Sequence, residues 1–189
     1  MKSPYNFIVK PLGDTYNNTK DISGVKLVIN TSMESAKHVN RIGIVAETPI
    51  YYNGDILPGD KVIIHHNVFR KYYDMKGRQT HSPEYFSDGV YIINPDRIYM
   101  YNRDDEWKSN DDYCFIRPID RVQDSLLHST DKEESHKGVL VYPSKYQSEK
   151  LGLNKGDVIA FKKNSEYAFD IEDEKLYRMR ETDVVMHLN

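Results

Sequence analysis

The sequence predicts an all-β protein whose pattern of strands is written twice. Three observations carry this expectation. Short runs rich in aromatic and β-branched residues alternate with Gly, Pro, Asn and Asp turn chemistry along the whole chain. No stretch holds a helical period for more than about two turns. The order of strand and turn motifs in the first part recurs, in the same order, in the second.

Tyr5 to Leu12 (YNFIVKPL) reads as a first strand, which Pro11 limits to an edge or a strand end. Tyr16 to Asn40 is a polar stretch around a small apolar patch of Gly24, Val25, Leu27, Val28 and Ile29. So short a patch either pairs as an ordinary strand or serves as a tethered hook for the groove of another protein. Arg41 to Pro49 is a second strand, closed by proline. Tyr52-Asn53-Gly54-Asp55 and Pro58-Gly59-Asp60 are turns that lead into a third strand, Lys61 to His65. Val68 to Phe86 is aromatic and basic, with Gly77 at a turn, and reads as a hairpin or a long excursion. Gly89 to Tyr101 supplies two strands broken at Asn94-Pro95-Asp96. Asn102 to Asp112 is almost wholly polar around the single tryptophan, Trp107, and reads as a linker between a domain over 1–101 and one over 113–189.

The second domain repeats the first. Tyr5 to Leu12 is echoed by Tyr113 to Ile119, Gly43-Ile44-Val45 by Gly138-Val139-Leu140, and Gly59-Asp60 by Gly156-Asp157. The strands from Val90 to Met100 are matched by those from Leu176 to Met186. The offset between copies is 107 at Pro11 and Pro118, 97 at Gly59 and Gly156, and 86 at Met100 and Met186. The second copy is therefore a trimmed version of the first. It has lost length after its first strand and again where the Tyr-rich excursion shrinks to KKNSEYAFDIEDE, and deletions of this kind fall in loops.

This ordered series resembles the GroES-type co-chaperonin (chaperonin-ten) family. The resemblance rests on Lys10-Pro11-Leu12, Ser23-Gly24-Val25-Lys26-Leu27, Gly43-Ile44-Val45, Gly59-Asp60-Lys61-Val62 and Val90 to Ile98, with the second copy matching through Arg117-Pro118-Ile119, Gly138, Gly156-Asp157 and Leu176 to Leu188. It implies two GroES-like β-barrels in tandem that assemble as a homo-oligomeric ring. The ring would cap a GroEL-type chaperonin during ATP-dependent protein folding, each mobile loop docking an apolar tripeptide between two helices of a chaperonin subunit. Gly24, Val25, Leu27, Val28 and Ile29 are then the hook. Its register is either Val25-Lys26-Leu27 or Leu27-Val28-Ile29. In the second copy only Leu126-Leu127 could serve a second loop, ahead of the acidic run Asp131 to Glu134. The stretch Ile50 to Gly59 leaves room for at most a short roof hairpin, and Phe69 to Phe86 is an insertion that the family pattern does not contain. The competing reading is a structural or assembly protein that keeps the barrel without a chaperonin partner.

Other chemistry is expected to be absent. A formal charge of −3 in 189 residues, with 39% hydrophobic and 29% charged, argues against a polyanion binder or a disordered tail. The aromatic and basic residues Phe69, Tyr72, Tyr73, Tyr85, Phe86, Arg70, Lys71, Lys76 and Arg78 could stack and neutralise single-stranded nucleic acid. A subunit contact or a chamber wall is the preferred reading, and nucleic acid is not expected as a partner. His65-His66 and His81 suggest a metal, but adjacent strand residues point to opposite faces, so surface or interface histidines are expected. Cys114, the single cysteine, is expected to be a buried structural thiol. No nucleophile-base-acid order and no phosphate-cradling glycine loop stands out, so no enzyme and no cofactor are expected. The chain also lacks the cysteine-rich zinc site and the Gly-x-Gly-x-x-Gly unit of alcohol dehydrogenases, which contain a related barrel. No apolar run reaches the roughly 18 residues of a membrane helix, and MKSPYNFIVK lacks the apolar core of a secretion signal. A cytoplasmic protein is expected, in the host cytoplasm for a viral form, with an organelle as the compatible alternative.

Overall fold

The chain is an all-β protein. A computed structural model describes residues 2–16, 19–22, 25–28, 38–110, 112–121, 133–171 and 174–188. Two compact units divide it, Met1–Glu106 and Trp107–Asn189. The first contains β1 (Phe7–Pro11), β2 (Thr19–Ile22), β3 (Val25–Val28), β4 (Ile42–Glu47), β5 (Lys61–Ile64), β6 (Lys71–Tyr73), β7 (Gln79–His81), β8 (Tyr85–Ser87), β9 (Val90–Ile93) and β10 (Ile98–Arg103). β11 (Glu106–Ser109) spans the division. The second unit continues with β12 (Tyr113–Asp120), β13 (Glu133–Tyr142), a helix α1 (Lys145–Leu151), β14 (Val158–Phe161), β15 (Tyr167–Ile171), β16 (Glu174–Arg180) and β17 (Val184–Leu188).

The duplication holds at the level of strand order. One sheet runs β11-β10-β5-β4-β1-β9-β8 and the other β17-β14-β13-β12-β16-β15, so the two agree strand by strand from β10 and β17 onward. It also holds at the level of register. Val9 pairs with Val45 and Tyr91, and its counterpart Ile116 pairs with Leu140 and Tyr177. The register slips between Ile8 and Val9 in one unit and between Phe115 and Ile116 in the other, the same position of the same strand. A second slip falls between Ile98 and Met100 on β10, and between the matching partners Phe161 and Ala160 on β14. Bulges at equivalent places bend both sheets alike.

Two glycines in each unit are required by this geometry. A Cβ on Gly43 would lie 2.5 Å from Val9 Cγ1 and 3.0 Å from the Lys10 carbonyl oxygen. On Gly138 it would lie 2.4 Å from Ile116 Cδ1 and 2.9 Å from the Arg117 carbonyl oxygen. Gly59 and Gly156 turn the chain into β5 and β14 at φ +96° and +101°, where a side chain is strained. The aspartate that follows closes each turn, accepting the N–H of Leu57 at Asp60 and of Asn154 at Asp157, both at 2.8 Å.

The cores correspond as well. Phe7, Val9, Val45, Ile56, Val62, Ile64 and Ile93 are buried in the first unit, and Cys114, Ile116, Leu140, Leu153, Ile159, Phe161 and Met179 take the matching positions in the second. Strand alternation sends these residues to one face, and burying each contributes about 1.5–3 kcal/mol. The first core extends further, through Tyr16, Val39, Val68 and Phe69. Cys114 is fully buried, as expected, and burial pushes its thiol up to about 12.

Two expectations need correction. Residues 102–112, expected as a linker, hold the end of β10, a turn through Asp104 and Asp105 at φ +54° and +61°, and β11, on which Trp107 is largely buried. Polar strands pair through their backbone, and aspartate tolerates the left-handed conformation, so polarity here marked a hairpin turn. Helix α1 was not anticipated. Its two turns are set by a capping box, in which the Ser144 hydroxyl accepts the Gln147 N–H and the Gln147 side chain accepts the Ser144 N–H, and Gly152 ends it in the left-handed conformation.

Candidate functional site

The apolar patch expected as a hook is a strand, but not a strand of the main sheet. Val25, Leu27 and Val28 lie on β3, which pairs with β2 in a separate two-stranded sheet. Ile22 faces Val25, Lys20 faces Leu27 and Thr19 faces Val28 across that hairpin. Gly24, Ile29, Leu126 and Leu127 lie outside the described residues.

What holds the stems of this segment was missed in the sequence. Asn40 is 4% exposed and uses its whole amide: its Nδ2 donates to the carbonyls of Leu12 (2.8 Å) and Asp14 (2.9 Å), and its Oδ1 accepts the Ile42 N–H (2.9 Å). Its own N–H donates to the Thr15 carbonyl. Beside it, Tyr16 forms a bridge with Val39, and its buried hydroxyl accepts the Lys71 N–H at 2.7 Å. Outgoing and returning chains are thus stitched together at one point. A buried amide satisfied by three backbone partners fixes its surroundings, and its loss would orphan all three. An asparagine just before a strand carried no distinguishing signal in the sequence.

The insertion from Phe69 to Phe86 divides into a root and a tip. Phe69 is fully buried and meets Tyr91 edge to face, with ring centroids 4.7 Å apart, and Tyr85 meets Tyr91 at 5.4 Å. The Ser82 hydroxyl donates to the Val68 carbonyl. The root is therefore core packing, which corrects the reading of Phe69 as part of an exposed contact or wall. Beyond it, β6 and β7 form a hairpin whose turn is held by Asp74 Oδ1, accepting the N–H groups of Lys76 and Arg78 at 2.8 Å. Tyr73, Met75 and Phe86 are exposed, while Arg70 covers the Tyr72 ring at 5.0 Å.

The histidines are arranged differently from the expectation. His65 and His66 follow β5, and their rings stack at 4.3 Å on the same side instead of pointing apart. His65 Nδ1 accepts the Asn67 N–H, and His81 stacks on Tyr85. Among the described residues no group of three His, Cys, Asp or Glu could hold a metal ion, and no helix is long and apolar enough to cross a membrane.

A two-point charge pairing lies at the Gly59-Asp60 turn of the first unit. Arg103 grips Asp60 with Nε at 3.0 Å and a terminal nitrogen at 2.7 Å, and also donates to the Asp55 carbonyl. Burial on its own would raise the Asp60 carboxyl. The Arg103 hydrogen bonds, the Leu57 N–H and the Arg103 charge together hold it below its usual value. In the second unit His187 takes over, with Nε2 3.3 Å from Asp157. No protein-family model matches the chain, and no curated protein sequence matches it.

Proposed function

We propose that the protein is a co-chaperonin-like cap, a binding protein whose β2–β3 hairpin docks on a GroEL-type chaperonin. The observation that carries this reading is a hairpin outside the main sheet, bearing Val25, Leu27 and Val28, within a segment whose two ends are pinned at Tyr16 and Asn40. A hairpin that is not part of the main sheet can present itself to a groove without disturbing that sheet. The twofold repetition of strand order and register adds support, since the family motifs fall at equivalent places in both units.

Docking costs conformational and rotational freedom, so each contact is weak on its own. Several copies on one ring regain affinity together, and weak single contacts let the cap leave when the chaperonin changes state. The chain would act as a homo-oligomer, since a heterologous interface that closes on itself gives a ring.

The test is capture of the purified protein by a GroEL-type chaperonin with and without ATP. Nucleotide-dependent capture is expected, reduced at least about tenfold by the double variant Leu27→Ser, Ile29→Ser, since removing two anchors from every loop compounds across the ring. Absence of capture in any nucleotide state would leave the structural or assembly reading in its place. Native mass measurement fixes the number of chains in the particle.

A further inference from the structure

The second unit contains a cavity of about 580 Å³ where β13, the turn after β14, and β16 meet. Its volume is in the range of small-molecule sites, and it is an open cleft lined mainly by polar and charged side chains around Phe161 and Tyr177. The register equivalence says what fills the same place in the first unit: Tyr177 stands where Tyr91 stands, and Tyr91 is covered by Phe69. Among the described residues of the second unit none takes the role of Phe69. Its chain instead turns through Asn164 at φ +60°, and Tyr177 is left half-buried against the cavity.

The charges around the cavity separate into committed and uncommitted groups. Glu133 accepts from Lys175 Nζ (2.7 Å) and from the Tyr177 hydroxyl (2.5 Å), and Glu134 pairs with Lys137 at 3.3 Å. Burial would raise the Glu133 carboxyl, but these two donors hold it below its usual value, so it stays charged and engaged. Lys163 and Glu166, exposed on the short turn, have no ion-pair partner among the described residues. His136 completes the wall. It sits inside β13 at φ +61°, meets Phe161 edge to face at 6.1 Å, and has a buried Nδ1 with no hydrogen-bond partner. The surrounding strand holds His136 in the left-handed conformation beside the cavity, with a ring nitrogen that no protein group satisfies.

We propose that this cavity binds a small zwitterion bearing a planar ring, the chemistry of a free aromatic amino acid. The ring packs on Tyr177 and Phe161, in the role that Phe69 plays in the first unit. The ligand carboxylate meets Lys163, and its ammonium meets Glu166, with His136 turning its free nitrogen to accept a second ammonium hydrogen. This inference stands apart from the chaperonin reading and uses none of the residues of the β2–β3 hairpin.

Calorimetric titration of the full chain with L-phenylalanine tests it. Saturable binding is expected, with L-alanine and N-acetyl-phenylalaninamide each weaker by about tenfold or more, one lacking the ring and the other both charges. Lys163→Gln and Glu166→Gln change exposed side chains, so the fold should survive, and each should weaken binding by about tenfold. Amide resonances of residues 133–137 and 175–177 should shift on binding, while those of residues 90–93 stay in place. No saturable signal up to about 10 mM ligand, equal affinity for the uncharged amide, or unchanged affinity in both variants would each overturn the proposal.

Discussion

The two units are the same sheet furnished differently. Strand order, both bulges, the close-approach glycine and the Gly-Asp turn coincide residue for residue. The differences lie between the strands. Among the described residues, the first unit has a hairpin within a segment pinned at its ends after β1 and an aromatic plug before β9. The second has α1 and a cleft where the plug would lie. A framework of backbone registers thus tolerates large changes in what is hung from it, because the constraint at each strand is local: one glycine, one bulge, one buried side chain.

The comparison can be broken at graded points. Phe69→Ala removes the centre of the first unit's plug and should cost about 4 kcal/mol. Hydrogen exchange should then accelerate in β1, β4 and β9 and stay unchanged in β12, β13 and β16. Equal acceleration in both units would show the plug to be something other than a local device. Next come Gly43→Val and Gly138→Val, which should each cost about 3 kcal/mol by overpacking at the same crossing. Urea denaturation giving clearly unequal costs would deny the equivalence of the two close approaches.

Smaller effects are expected at the aspartate turns. Asp60→Asn should cost about 2 kcal/mol and Asp157→Asn about 1, since Asp60 is gripped by Arg103 twice and Asp157 by a single imidazole contact. The sign with pH follows from the lowered Asp60 carboxyl. Its contribution is complete above the ordinary aspartate value of about 3.9 and is lost as pH falls through the lower folded value. The acid limb of the stability profile should therefore flatten in Asp60→Asn. Of the same size as Asp157→Asn is Ser144→Ala, about 1 kcal/mol from the lost cap of α1, read as faster exchange at residues 145–151.

Much of this framework was legible in the sequence because it is carried by residue types with few substitutes. The glycines at 43, 59, 138 and 156, the aspartates after the turns and the alternating apolar runs locate the strands and expose the repeat. Asn40, α1 and the cavity were not legible. Asn40 matters through three backbone partners that only folding assembles, and α1 rests on a capping box two turns long. The cavity follows from a deletion, visible in the sequence as a shortened loop, but its meaning depends on Phe69, whose burial against Tyr91 was hidden within a stretch that looked like exposed aromatic surface.

The position of β1 between β4 and β9 has a consequence for the nascent chain. Phe7 finds its second neighbour only at Ile93, so through most of the synthesis of the first unit β1 has one side unpaired. At about 5–20 residues per second, the interval between translating these two residues lasts roughly 4–17 s. During that time Phe7-Ile8-Val9 is an apolar strand with an open edge, the arrangement most prone to pair with another chain. A ribosome paused between Glu47 and Val90 would hold the protein at its most adhesive stage, and release beyond Ile93 would end it.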